Sequence, residues 1–213
     1  MQLEHQWLGT GVEYQAGLEI QQQLVNAILS GNPQYHLLTL EHAPVYTIGR
    51  TRDLSSLGQA RDLLPHPVIE INRGGQATYH GPGQLTGYPI VDLDLLGKDL
   101  HAYIRTLEQT LITVCASYGV QAGRREGLTG VWVETRKLAS IGVGVKKWIS
   151  MHGFAINLRK ESLTGFQSIT PCGIDNVAMT SLESECGDAV NSEEFATKCY
   201  LCLQQNLAGM TTR

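Results

Sequence analysis

Apolar positions recur at two periods along the 213-residue chain, and each change of period marks an element boundary. Within residues 11–30, "GVEYQAGLEIQQQLVNAILS", Tyr14, Leu18, Val25 and Ile28 fall on one helical face, and the "GNP" that follows stops the helix. "YHLLTLEH" and "PVYTIG" read as two strands around a turn at Pro44. A polar stretch with Pro65 and Pro67 gives way to the strand "VIEIN", and "QLTGYPIVDL" is the next strand. Residues 99–118 predict the strongest helix. Leu100, Tyr103, Ile104, Leu107, Leu111, Val114, Cys115 and Tyr118 keep its period until Gly119 ends it.

Three strand-like runs follow, "GVWVE", "KLASIGVGVKKW" and "ISMHGFAINL", with glycines spaced for tight turns or close backbone approach. A loop through "SITPCGI" leads to a short helix near "TSLESEC", and residues 192–207 predict a last helix with Phe195, Cys199, Cys202 and Leu203 on one face. Neighbouring strands lie close in sequence, and helices interrupt them irregularly. That order predicts an α/β fold of the α+β kind, with a mixed, largely antiparallel sheet flanked by helices. No repeat or linker divides the chain, so residues 1–213 are expected to form a single domain.

Composition narrows the function. A net charge of -4 argues against a nucleic-acid or membrane-surface protein, which would carry a dominant basic patch. No run of about 18 apolar residues is present, and "MQLEHQWLGT" has neither a signal-peptide core nor an Arg-rich transit pattern, so the protein is expected to be cytoplasmic. The five cysteines are odd in number and scattered, so they are expected to be free thiols. Cys115 lies on an apolar helix face. Cys199 and Cys202 spell C-x-x-C, but their spacing is that of helical core packing, and no second pair completes a metal set. Cys172 differs. In "TPCGI" it sits in a loop, held by Pro171 and given backbone room by Gly173, as a nucleophile requires.

The densest glycine cluster is "RGGQATYHGPGQLTGYPI", residues 73–90. It matches neither phosphate-loop spacing and runs into a strand, not a helix. Turns alone explain its glycines but not Arg73, Thr78, Tyr79 and His80 among them. A pocket wall explains both, with glycines admitting a substrate to the backbone and Arg73 and His80 offering polar contacts. His80 reads equally as a structural histidine, and none of the seven histidines is expected to bind metal.

That segment, together with "HAPVYTIGR", "GVWV", "KLASIG", "HGFAIN" and "PCGI" in this order, resembles the lipoyl(octanoyl) transferases, the lipoate-protein ligase B family. The resemblance implies the catalytic-domain fold of biotin and lipoate protein ligases. It implies transfer of an octanoyl group from octanoyl-acyl carrier protein to a lysine of lipoyl domains or of the glycine-cleavage H protein, with no cofactor. It makes Cys172 the acyl-thioester residue and Lys137 its partner. The acyl-binding segments fall on Arg73, Gly74, Gly75, Gln76, Ala77, Thr78, Tyr79 and His80, on Ser140, Ile141 and Gly142, and on Gly153, Phe154 and Ala155. The Ile141 and Phe154 positions vary in size, which leaves chain-length preference open.

The chemistry is coherent. A cysteine exchanges thioester for thioester at little cost and then offers an activated acyl group to an amine, without ATP or metal. A thiol of ordinary pKa, ~8.5, is mostly protonated at neutral pH, so Lys137 would assist as a cation beside the thiolate or as a base. Backbone N–H groups beside Gly173, or in the glycine-rich segments, are candidate oxyanion donors. Arg124, Arg125, Lys146 and Lys147 form local basic patches that could steer acidic partners. Three rivals remain open: an ATP-dependent lipoate or biotin ligase, an octanoyl amidotransferase between lipoyl-bearing proteins, and a binding module without catalysis.

Overall fold

The computed structural model describes residues 2–50, 54–57, 61–170 and 177–210. Seven strands form one sheet in the order β1-β2-β6-β10-β9-β8-β7: β1 Leu3–Trp7, β2 Tyr35–Leu40, β6 Gln84–Ile90, β7 Gly123–Arg125, β8 Leu128–Val133, β9 Arg136–Lys146 and β10 Ile149–Asn157. Only β1 and β2 run parallel in it. A second sheet of three strands, in the order β4-β3-β5, joins Val68–Glu70, Val45–Ile48 and Thr78–His80. The architecture is the mixed, largely antiparallel one that the alternation of elements predicts.

Helices cover both faces of the large sheet. On one face, α2 (Leu100–Ala116) and α4 (Ser192–Met210) bury Leu107, Leu111, Phe195 and Cys199 against Leu37, Leu85, Phe154 and Ile156. Asp99 caps α2 by accepting the Ala102 N–H at 2.9 Å. Cys115 and Cys199 are fully buried in this core, where the sequence places them, while Cys202 lies at its margin. Burial pushes the Cys115 thiol up to about 12, so it is inert as a nucleophile. Between the two helices the short α3, Leu182–Cys186, starts on a Ser181 cap and stops at Gly187, where φ is 85°.

On the other face lies α1, Tyr14–Leu29, over Leu38, Leu40, Ile90 and Met151. Its buried residues are Tyr14, Gly17, Gln21 and Val25, so the buried stripe is displaced from the expected one. Leu18 and Ile28 are only half-buried. Gly17 allows the helix to approach: a Cβ there would lie 3.2 Å from His42 Cε1. Strand β1 has no counterpart in the sequence reading. Its five residues "LEHQW" bury only Leu3 fully, too little apolar signal to stand out, and pairing to β2 supplies the rest.

Candidate functional site

The site begins with an irregularity. On the ladder between β8 and β9, Val133 faces Arg136 and Trp132 faces Lys137, but Val131 faces Ala139. Leu138 is the extra residue, a β-bulge. Leu138 and Ala139 both join the core with Val143, and the alternation restarts one position late. Lys137, Ser140 and Gly142 therefore share the opposite face, where they line a cavity of about 210 Å³. Unbulged, Lys137 would point the same way as Ala139 and Val143, into the core.

Lys137 is 2% exposed. Its Nζ lies 5.3 Å from the centre of the Trp132 ring, within cation–π range. Gly130 opens the space beside it, since a Cβ there would meet Lys137 Cε at 3.0 Å. Buried Glu108 fixes Gly130 by accepting its N–H at 3.0 Å, and the same carboxylate pairs with Arg124 at 2.9 Å. The backbone of Lys137 is pinned on its other side as well. Its N–H donates to Ala178 O at 2.8 Å, and its carbonyl accepts the Thr180 N–H at 2.9 Å.

Strand β10 departs from regularity at His152, where φ is 56°. Ile149 and Met151 pack towards α1, Gly153 and Ala155 line the cavity, and Ile156 lies in the α2–α4 core. Alternation would send His152 to the core with Ile156. The left-handed backbone brings its ring to the cavity instead, and Gly144 makes room, a Cβ there falling 3.0 Å from the ring Cδ2. Gln21 of α1 holds the strained position, its Oε1 accepting the His152 N–H at 2.8 Å. Such a backbone costs about 1–3 kcal/mol and persists where surrounding structure enforces it.

The glycine-rich segment forms the facing wall. Arg73 is 8% exposed and serves as its hub. Its Nη1 donates to Gly74 O at 2.8 Å, and its Nη2 donates to Thr47 Oγ1 and Gln76 O, both at 2.9 Å. The structure buries Arg73 as the clasp that shapes the loop, on the pocket wall where the sequence reading puts it. Thr47, having accepted from Arg73, stands 3.4 Å from His80 Nε2, and His80 Nδ1 donates to Gln84 Oε1 at 2.8 Å. Both nitrogens of His80 thus have protein partners, while the ring also lines the cavity. His42 is likewise committed, to Val12 O and to the Tyr88 hydroxyl. Burial holds His80 well below the ordinary imidazole range and lowers His42 and His152 to about 4, so all three rings are neutral at pH 7.

Of the residues singled out by sequence, Lys137, Arg73, Gly75, Gln76, Thr78 and His80 come together on the cavity. Ser140, Ile141 and Gly142 join them from β9, and Gly153, Phe154 and Ala155 from β10. Ala77 and Tyr79 instead pack beneath the small sheet with Tyr46 and Phe166. Gly74 bonds through its N–H to Val143 O at 3.1 Å. Cys172 and Gly173 lie outside the described residues. Sequence reasoning did not select Tyr14, Thr86, Tyr88 or His152 for the lining. For His152 the signal was its adjacency to Gly153.

Arg124 is paired with Glu108, and Arg125 lies 5.0 Å over the Trp132 ring. Lys146 donates to Asn26 Oδ1 at 3.1 Å. Among the described residues no cluster of three or more His, Cys, Asp or Glu could hold a metal, and no helix is long and apolar enough to cross a membrane.

Comparison with known proteins agrees with this layout. A family model for the lipoyl protein ligase A/B catalytic domain matches residues 13–204. An octanoyltransferase of Geobacter metallireducens is 50% identical over 182 residues, 84% of this chain and 82% of that protein. Among solved structures, the bi-partite lipoate protein ligase of Thermoplasma acidophilum, described with its E2 lipoyl domain, superposes with a TM-score of 0.66 at 15% identity, over 97% of this chain and 85% of that one. The biotin protein ligase of Aquifex aeolicus in complex with biotin and ATP gives 0.64 at 14% identity, over 99% and 72%. At such identities the two structures speak for the fold alone.

Proposed function

Because the chain belongs to the lipoyl protein ligase A/B catalytic domain family, we propose that it is an octanoyltransferase, moving an octanoyl group from octanoyl-acyl carrier protein to a lysine of a lipoyl domain or H protein through a thioester on Cys172. The observation that carries this reading is a buried amine, Lys137, opening on a narrow slot with glycine walls. Chain connectivity supports a cysteine partner. The described chain ends at Thr170, whose N–H donates to Ser56 O, and resumes at Val177, next to the Ala178 carbonyl that accepts from Lys137. Ala178, six positions after Cys172, is thus bonded to the strand that bears the amine.

In the first half-reaction the Cys172 sulfur attacks the donor's thioester carbonyl. A C–S bond to the enzyme forms, the C–S bond to the carrier breaks, and the carrier leaves as a thiol after taking a proton. In the second, the acceptor's neutral lysine amine attacks the enzyme thioester, the amide forms, and Cys172 departs as a thiolate while the amine's surplus proton passes to a base. Lys137 governs both steps, beside the sulfur in the first and on the proton's path in the second. Gly75, Gly142 and Gly153 let the methylenes lie against backbone, out of water.

The test is transfer without ATP. Mixed with octanoyl-acyl carrier protein, the wild type should gain one octanoyl group on Cys172 by mass spectrometry and pass it to a lipoyl domain. Cys172→Ala should form no adduct, and Lys137→Ala should form it roughly 10²–10⁴ times more slowly. Activity appearing only with ATP and free octanoate would identify a ligase instead.

A further inference from the structure

Strand β10 stops before it can serve Lys137. Its ladder with β9 ends at the Ile156–Ala139 pair, short of the lysine. With Trp132 of β8 on one side, Lys137 has Met179 on the other, in a parallel bridge. Residues 178–180 therefore take the edge of β9 that β10 leaves. Ala178 O accepts the Lys137 N–H at 2.8 Å, and the Thr180 N–H donates to Lys137 O at 2.9 Å.

Asn157, the last residue of β10, joins strand and segment. It is 1% exposed, and its Nδ2 donates to Thr180 O at 3.0 Å. Its Oδ1 accepts from Gln84 Nε2 at 3.0 Å, and Gln84 Oε1 accepts from His80 Nδ1 on the slot wall at 2.8 Å. The direction of this chain is fixed. Gln84 Nε2 also donates to Tyr79 O, and the Tyr79 and Thr180 carbonyls can only accept. Both amide nitrogens must face them, and each amide oxygen is left to receive the preceding donor. A run of donors thus passes from the His80 ring through two buried amides to the backbone that grips Lys137.

We infer that Asn157 is a positioning residue for Lys137: its side-chain amide splices residues 178–180 onto the end of β10 and so fixes where the amine enters the slot. The kinetic consequence rests on the octanoyltransferase reading; the structural one rests on the hydrogen bonds. Neighbouring contacts act elsewhere. The Glu183 N–H donates to Leu158 O at 2.9 Å and anchors α3. The Thr180 hydroxyl donates to Glu185 Oε1 at 2.6 Å, and Glu185 pairs with Arg136, which holds the Thr180 side chain. The Thr180 carbonyl belongs to a residue only 4% exposed. Deprived of the Asn157 donor, it reaches water by lifting its segment off β9, and Lys137 loses its backbone partners.

The test uses Asn157→Leu, which keeps the volume, removes the amide and leaves no gap for a bridging water. Amide hydrogen exchange resolved by NMR is the first measurement. The Lys137 and Thr180 N–H groups should exchange about 5–100-fold faster than in the wild type, with the Glu183 N–H unchanged. Transfer from octanoyl-acyl carrier protein to a lipoyl domain is the second. There kcat should fall about 10–100-fold, with both KM values within about twofold of wild type. Unchanged exchange at Lys137 and Thr180 overturns the splice. Acceleration spread evenly over β9 and β10 also overturns it, since that marks a general support of the fold. Faster exchange at the two amides with a wild-type kcat overturns the positioning role. Should the leucine variant not fold, Asn157→Ala is read by the same two measurements against the same outcomes. A wild type that takes no octanoyl from the carrier overturns the transferase reading, while exchange still decides the splice.

Discussion

Gly130 exists in the form of the space that Lys137 fills. A side chain at 130 would lie 3.0 Å from the lysine Cε and 2.5 Å from the Ala139 carbonyl, and φ there is 129°. The amine's direction is thus set by an absence on the neighbouring strand. Gly130→Ala should lower the rate of octanoyl adduct formation about 10–100-fold, because a displacement of about 1 Å at a reacting group has that order of effect. Rate and melting temperature measured together separate misplacement from unfolding. A variant that transfers at the wild-type rate would show that the amine does not need this space.

Lys137→Met keeps most of the aliphatic stem against Trp132 and removes the amine. Adduct formation should fall as far as in Lys137→Ala while the melting temperature stays within a few degrees of wild type. A large loss of stability would point to a lysine that holds the fold.

Glu108 acts on the site through backbone. It is fully buried and receives the Gly130 N–H together with Arg105 and Arg124. Glu108→Gln should cost about 2–4 kcal/mol in urea unfolding, since it removes the charge that the two arginines share. The surviving folded enzyme should show reduced kcat with KM little changed.

Stability should fall as pH drops below the ordinary imidazole pKa. His42 and His152 are lowered to about 4, and His80 is held well below the ordinary range, all chiefly by burial. The unfolded chain therefore binds more protons than the native one between about pH 6.5 and 4, and stability rises with pH across that window. Each ring adds up to about 1.4 kcal/mol per pH unit. Urea midpoints at pH 7.5, 6 and 5 measure it; a flat profile would mean the rings are not buried neutral. Replacing His42 by Gln should reduce the slope.

Much of this was legible from sequence because it follows from period and glycine chemistry. The α2 and α4 cores and the antiparallel strands after residue 130 came from those signals, while the segments 140–142 and 153–155 came from the family resemblance. What was not legible depends on tertiary partners. Leu138 reads as an ordinary strand residue until the ladder to β8 shows it to be surplus. His152 gives no hint of a left-handed backbone, which Gln21 enforces from a helix 131 positions away. The clasp role of Arg73 was not legible because acceptors such as Gly74 O, Thr47 O, Thr47 Oγ1 and Gln76 O are brought around it only by the folded loop.

The surplus residue on β9 also decides which in-frame lesion the strand can absorb. Losing the codon for Leu138 would straighten the strand and leave Lys137 next to core-facing Ala139, so the amine would stay on the slot. One residue inserted between Lys137 and Leu138, with the bulge kept, would do the opposite: Arg136 would swing onto the slot and Lys137 inward, a silenced enzyme that single-residue replacement scans would never sample.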